Sequence, residues 1–75
     1  MNITEAQKEV EAQYPGAGEP REEHGAYRWD INNTVIHWLP KESPERQWMW
    51  ESYAGHGRAS TLAWARWKGI ADRGI

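Results

Sequence analysis

Three histidines and eleven carboxylates are the residues of this chain best able to do chemistry, so their spacing comes first. His24, His37 and His56 stand apart, with no His-x-His and no pair four residues apart on a helix. A zinc site would have to draw these distant imidazoles and a carboxylate together from separate elements. The chain has no cysteine, which removes thiolate ligands, catalytic thiols and disulfides at once. Glu22-Glu23-His24 is a local cluster of acid and base, but it sits in residues 15–24 with two Pro, two Gly and three Glu. Such a segment reads as an exposed loop, and a loop holds catalytic geometry poorly.

Gly55-His56-Gly57-Arg58-Ala59-Ser60-Thr61 resembles a glycine-flanked turn feeding a helix N-terminus, where backbone N–H groups hold anions. It lacks the Gly-Lys-Ser/Thr of a phosphate-binding loop, so nucleotide hydrolysis does not follow. Ordinary turn and capping chemistry is the better explanation of it. Ser60, His56 and a carboxylate could be imagined as a nucleophilic triple, but a chain this rich in acids offers such triples by chance. A domain of this size also has little room for a pocket of ~300 Å³ beside its own core. No catalytic, cofactor-binding or metal-binding residue is therefore expected, and no cofactor.

Charge is unevenly spread. Residues 1–25 hold six Glu against Lys8 and Arg21, giving −4. Residues 26–57 come to −1, and residues 58–75, with Arg58, Arg66, Lys68 and Arg73 against Asp72, come to +3. The basic stretch interleaves Arg66 and Lys68 with Trp64 and Trp67, which is the composition of a nucleic-acid contact. Against that stand the overall charge of −2 and the ordinary preference of cations for the last turn of a helix. Arg58, Arg66, Lys68 and Arg73 are thus the residues of a second, nucleic-acid-binding alternative.

The elements that would position these groups follow from periodicity. Thr4 and Gln7 have capping-box spacing, and Ile3, Ala6, Val10 and Tyr14 form one narrow helical stripe, predicting a helix over 4–13. Residues 26–31 and 34–39 alternate around Asn32-Asn33, which suits a two-residue primed hairpin turn. That turn sets Ile31 against Thr34, Trp29 against Ile36 and Tyr27 against Trp38 on one face. Residues 47–53 alternate again and predict a third strand, with helix over 44–53, started by Ser43-Pro44, as the alternative. Residues 54–57 read as a turn. Ser60 then caps a last helix whose Ala63, Trp64, Trp67, Ile70 and Ala71 share an inward face, with Gly69 as an early C-terminal stop. The expected fold is one small α+β domain spanning 1–75: a three-stranded antiparallel meander with the N- and C-terminal helices packed on its aromatic face. All six Trp fall on predicted inward positions.

The other sheet face carries Arg28, Val35, His37, Leu39, Met49, Glu51 and Tyr53. A face meant only for water would be more uniformly polar, whereas this one has the apolar centre and polar rim of a contact surface. With catalytic motifs absent, binding to another protein or protein complex is the function these residues favour. In size, acidity and Trp content, the chain resembles small accessory proteins of phages and mobile elements, anti-CRISPR proteins among them. That resemblance implies inhibition of a host complex by occupying its surface, and assigns no residues. Met1 and the residues up to Pro15 have no apolar run of a signal peptide, and 35–39 is too short to span a bilayer. A cytoplasmic protein without membrane contact is expected.

Overall fold

A computed structural model of the chain describes residues 1–73, excluding the side chains of Asp72 and Arg73. The order is α1 (Ile3–Gln13), β1 (Arg21–Glu23), β2 (Ala26–Ile31), β3 (Thr34–Trp38), a 3₁₀ turn (Pro44–Arg46), β4 (Trp48–Ser52), β5 (Gly55–Ala59) and α2 (Leu62–Arg73). The strands form one antiparallel sheet in sequence order, β1-β2-β3-β4-β5. The α+β class is as expected, but the sheet has five strands where three were predicted.

The two extra strands were hidden by their composition. Arg21–Glu23 is exposed throughout and carries only charges, so it has no alternation to detect. It pairs with β2 because His24 (φ 53°) and Gly25 (φ 81°) both take the left-handed conformation of a tight primed turn. A three-residue charged strand is also a safe edge, since it offers little for another chain to pair with. At the other edge, Gly55 to Thr61 is no anion-binding turn. The turn is Tyr53-Ala54, and Gly55–Ala59 pairs along the whole of β4.

The central hairpin has the predicted register in full, including Arg28 opposite His37 and Asp30 opposite Val35, with Asn32 at φ 56° in the turn. The third predicted strand is β4. Only Pro44–Arg46 answers the Ser43-Pro44 helix signal, because Trp48 and Trp50 gain more by lying beside Trp38 and Ile36.

Reading the inner face along its cross-strand rows shows a steep taper. One row runs Tyr27, Trp38, Trp48, Ala59; the next runs Trp29, Ile36, Trp50, Gly57. Trp29, Ile36, Trp38, Trp48 and Trp50 are all at most 4% exposed, and Tyr27, Trp38, Trp48 and Trp29 form a chain of stacked rings. At β5 the large side chains stop. There α2 comes down directly onto the strand with its small residues Ala65 and Gly69, and Leu62 fills the space at the helix start. A Cβ on Gly57 would collide with the Ala65 carbonyl, and one on Gly69 with the Trp50 ring. Gly69 is therefore an interior contact residue and not the helix stop that was predicted.

α1 instead rides on the indoles. Its buried stripe is only Ala6 and Val10, and it supplies acceptors to two of the rings: Trp29 Nε1 donates to Gln7 Oε1 (2.9 Å) and Trp50 Nε1 to the Tyr14 hydroxyl (2.7 Å). Gln7 is thus a core acceptor and not half of a capping box with Thr4. The box is made two residues earlier by Asn2 and Glu5, whose amides and side chains exchange two 3.0 Å bonds. Trp38 and Trp48 keep their indole N–H groups without a partner among the described residues, at a cost that their burial must exceed.

Two predictions test this packing. Truncating Trp29 to Ala should cost about 3–5 kcal/mol, comparable to the stability of a domain this small. Gly57→Ala should lower the urea midpoint by an amount worth about 1–3 kcal/mol, as for an overpacked core. An unchanged midpoint for Gly57→Ala would mean that α2 does not rest on β5.

Candidate functional site

Two surfaces carry the residues that could meet a partner. The first was not expected. α2 begins after Thr61, not Ser60: the Thr61 hydroxyl accepts from the Trp64 amide (3.1 Å), and Glu9 of α1 reaches across to accept from the Leu62 amide (2.6 Å). A carboxylate there also opposes the helix dipole favourably. This start, with Leu62, Ala65 and Gly69 facing the sheet, turns the bulky residues outward. Trp64, Trp67 and Ile70 are 53%, 60% and 49% exposed, and Ala63 is exposed beside them. The predicted inward face of α2 is thus its outward one, with Ala71 half-buried at its border.

The two indoles meet edge to face, 5.3 Å apart and at 87°, and form a ridge along the helix. One shallow groove beside it is lined by Gln13, Ala63, Arg66, Trp67 and Ile70. The other is lined by Glu45, Ala59, Ser60, Trp64 and Lys68. A cation stands in each. The Arg66 guanidinium lies 5.2 Å over the Tyr14 ring and donates to Gln13 Oε1 (3.1 Å). Lys68 Nζ donates to the Arg58 carbonyl (3.4 Å) on the outer edge of β5.

The second surface is the outer sheet face, where the residues singled out from sequence largely lie. Arg28, His37 and Met49 form one cross-strand row with Arg21 and Arg58 at its ends; Val35 and Glu51 share the adjacent row with Asp30 and His56. Val35, Leu39 and Met49 are half-buried. Tyr53, predicted on the strand, lies in the β4–β5 turn and is exposed. The charges of this face largely answer one another. Arg28 makes a bidentate fork on Asp30 (2.9–3.2 Å), with Arg21 3.7 Å from the same carboxylate. Arg58 bonds the Arg46 carbonyl (2.7 Å) and Glu42 (3.3 Å). The Arg28 hydrogen bond holds the Asp30 carboxyl below the usual carboxylate range.

The basic quartet of the nucleic-acid alternative is not brought together. Arg58 is on the outer sheet face, Arg66 lies against α1 and Lys68 crosses the β5 edge; the Arg73 side chain is outside the described residues. The histidines are equally separate: His24 in the first turn, His37 central on the outer face, His56 on the edge strand. Among the described residues no group of three or more metal-ligating side chains clusters, and no helix is long and apolar enough to cross a membrane. A cavity of about 560 Å³, more room than a domain of this size was expected to leave, lies between α1 and the approach to β1. Its Gln7 amide is already committed to Glu11, the Gly18 carbonyl and Trp29, which ties it to the fold.

The sequence held one signal for the ridge. Leu62, Ala65 and Gly69 recur at steps of three and four, and Gly55, Gly57 and Ala59 at steps of two. A small-residue helix stripe and a small-residue strand face fit each other, and that pairing leaves the Trp residues outside.

His37 gives a pH test. Burial, outweighing the attraction of Glu51 3.4 Å away, pushes its pKa down from the ordinary value of about 6.5. The unfolded chain then binds the proton more readily, so stability should fall as pH drops below about 6.5. Melting temperatures measured from pH 7.5 to 5.5 should fall in the native chain and flatten in His37→Gln. Equal slopes in the two proteins would remove His37 as the cause.

No protein-family model matches the chain, and no curated protein or solved structure matches it either.

Proposed function

We propose that this chain is a non-enzymatic protein-binding module and that the outward face of α2 meets its partner. The observation that carries this is a helix apolar on both sides. Leu62 and Ala65 are fully buried against the sheet, while Trp64, Trp67 and Ile70 are about half exposed on the opposite side. A helix of a small domain ordinarily covers one apolar face and leaves a polar one to water. Trp is also the residue most enriched at the energetic centres of protein interfaces. With Ala63 and Ile70 beside them, the two half-exposed indoles make one contiguous apolar patch, on the order of the 300 Å² at the low end of the largest patch on a typical monomer, which is often functional.

In this reading the chain works as the phage and mobile-element accessory proteins it resembles do, in the cytoplasm, by occupying a surface on a larger complex. The outer sheet face, through Arg28, Val35, His37, Leu39, Met49, Glu51 and Tyr53, is a second contact surface. The half-buried Val35, Leu39 and Met49 among paired charges favour it.

Affinity capture from host lysate, followed by titration of the purified partner, separates the two. Trp64→Ala with Trp67→Ala should weaken binding by about 2 kcal/mol or more, roughly thirtyfold, because hot-spot aromatics dominate interfaces. Its melting temperature should change little, as both side chains are on the surface. If that variant binds normally and Leu39→Glu with Tyr53→Ala does not, the sheet face is the site. If neither pair matters, neither surface is.

A further inference from the structure

The ridge also carries information about what covers it, given the reading of α2 as the contact surface. From Ala63 to Ile70 the exposed apolar strip runs two helical turns, about 10 Å. Its borders are both positive. Arg66 stands on the α1 side and Lys68 on the β5 side, and among the described residues each is bonded to neutral groups: Gln13, the Tyr14 ring and a backbone carbonyl. Neither has an ion-pair partner among the described residues, whereas the arginines of the sheet face, Arg21, Arg28 and Arg58, are all paired. Glu45 lines the Lys68 groove but forms no ion pair with it.

We infer that the occupant is an acidic amphipathic helix of another protein, its apolar stripe laid along Trp64, Trp67 and Ile70 and its flanking carboxylates set against Arg66 and Lys68. Helix-on-helix recognition of this kind is read through anchors at i, i+3 or i+4 and i+7, a spacing that Ala63, Trp67 and Ile70 match, with Trp64 beside them on the same strip. A second copy of this chain fits less well. An antiparallel pair of α2 helices centred on Trp67 would set Arg66 against Arg66 and Lys68 against Lys68, and a parallel pair would set Arg66 of one copy against Lys68 of the other, so cation faces cation either way. Single-stranded nucleic acid also fits less well, because the rings meet edge to face and do not offer a pair of parallel stacking surfaces.

The test uses the intact protein and a synthetic eighteen-residue helical peptide, Leu at the anchor positions and Glu on both flanks, beside its Lys-for-Glu twin. Fluorescence anisotropy of the labelled peptides at low salt should show the Glu peptide binding about tenfold or more tightly than the Lys peptide, with the difference shrinking as salt is raised. Lys68→Glu, and separately Arg66→Glu, should each erode that preference, and Trp64→Ala with Trp67→Ala should abolish binding. Arg66 packs on Tyr14, so Lys68→Glu is the variant that decides if Arg66→Glu fails to fold.

Equal binding of both peptides overturns the charge assignment while leaving α2 as the contact surface. Peptide binding that survives loss of both Trp overturns α2 itself. No binding of the Glu peptide at millimolar concentration overturns the acidic helix as occupant. Sedimentation showing a dimer that Trp67→Ala dissolves assigns the ridge to a second copy. Tighter, steeply salt-dependent binding of an oligo-dT strand assigns it to nucleic acid.

Discussion

The close approach of α2 to β5 is the contact on which the rest of this structure depends. Gly57 and Ala59 leave the inner face of the edge strand almost bare, and Ala65 and Gly69 do the same for the helix. Neither surface excludes water well alone. Brought together they interlock at backbone distance, and Leu62 closes the contact at the helix start. A helix held that near a strand has no room for an indole beneath it. The outward position of Trp64 and Trp67 is therefore a geometric result of small residues on β5, which a count of hydrophobic residues on α2 alone would miss.

The other half of the core is built on the opposite plan. Strands β2 to β4 fill their inner face with four Trp, one Tyr and two Ile, so α1 is held off from the sheet by a layer of rings. Rings bring N–H donors as well as area. α1 answers two of them with Gln7 and Tyr14 and then, through Glu9, also closes the N-terminus of α2. One face of a short helix so serves the sheet and the second helix together. It does this with polar atoms more than with bulk, since only Ala6 and Val10 are fully buried.

What could be read from the sequence was what local periodicity and turn chemistry fix between neighbours. The Asn32-Asn33 turn set the register of β2 on β3, and with it the buried Trp29, Ile36 and Trp38 and the membership of the outer face. What could not be read depended on partners distant in sequence or on residues without a pattern. A charged three-residue strand and a strand containing two glycines have no alternation to report. The orientation of α2 was misjudged because bulk was taken as the guide to burial, when the size of the opposing strand decides it. Glu9 as a cap for Leu62 lies 53 residues away from its partner and leaves no local trace. The outer-face residues were located well because they follow from register alone, whereas the ridge required knowing which helix face the sheet would accept.

The sheet order has a kinetic side. Each strand pairs with its sequence neighbour, and three of the four connections are two-residue turns, so pairing can spread from hairpin to hairpin while closing only short loops. α1 is in the opposite position: its bonds to Trp29, Trp50 and Leu62 span 22, 36 and 53 residues. Contacts of that separation form after the local ones have shortened the path between their ends. On sequence separation alone the sheet with α2 is expected to form before α1 docks, and a change in α1 would then act more on the rate of unfolding than on the rate of folding.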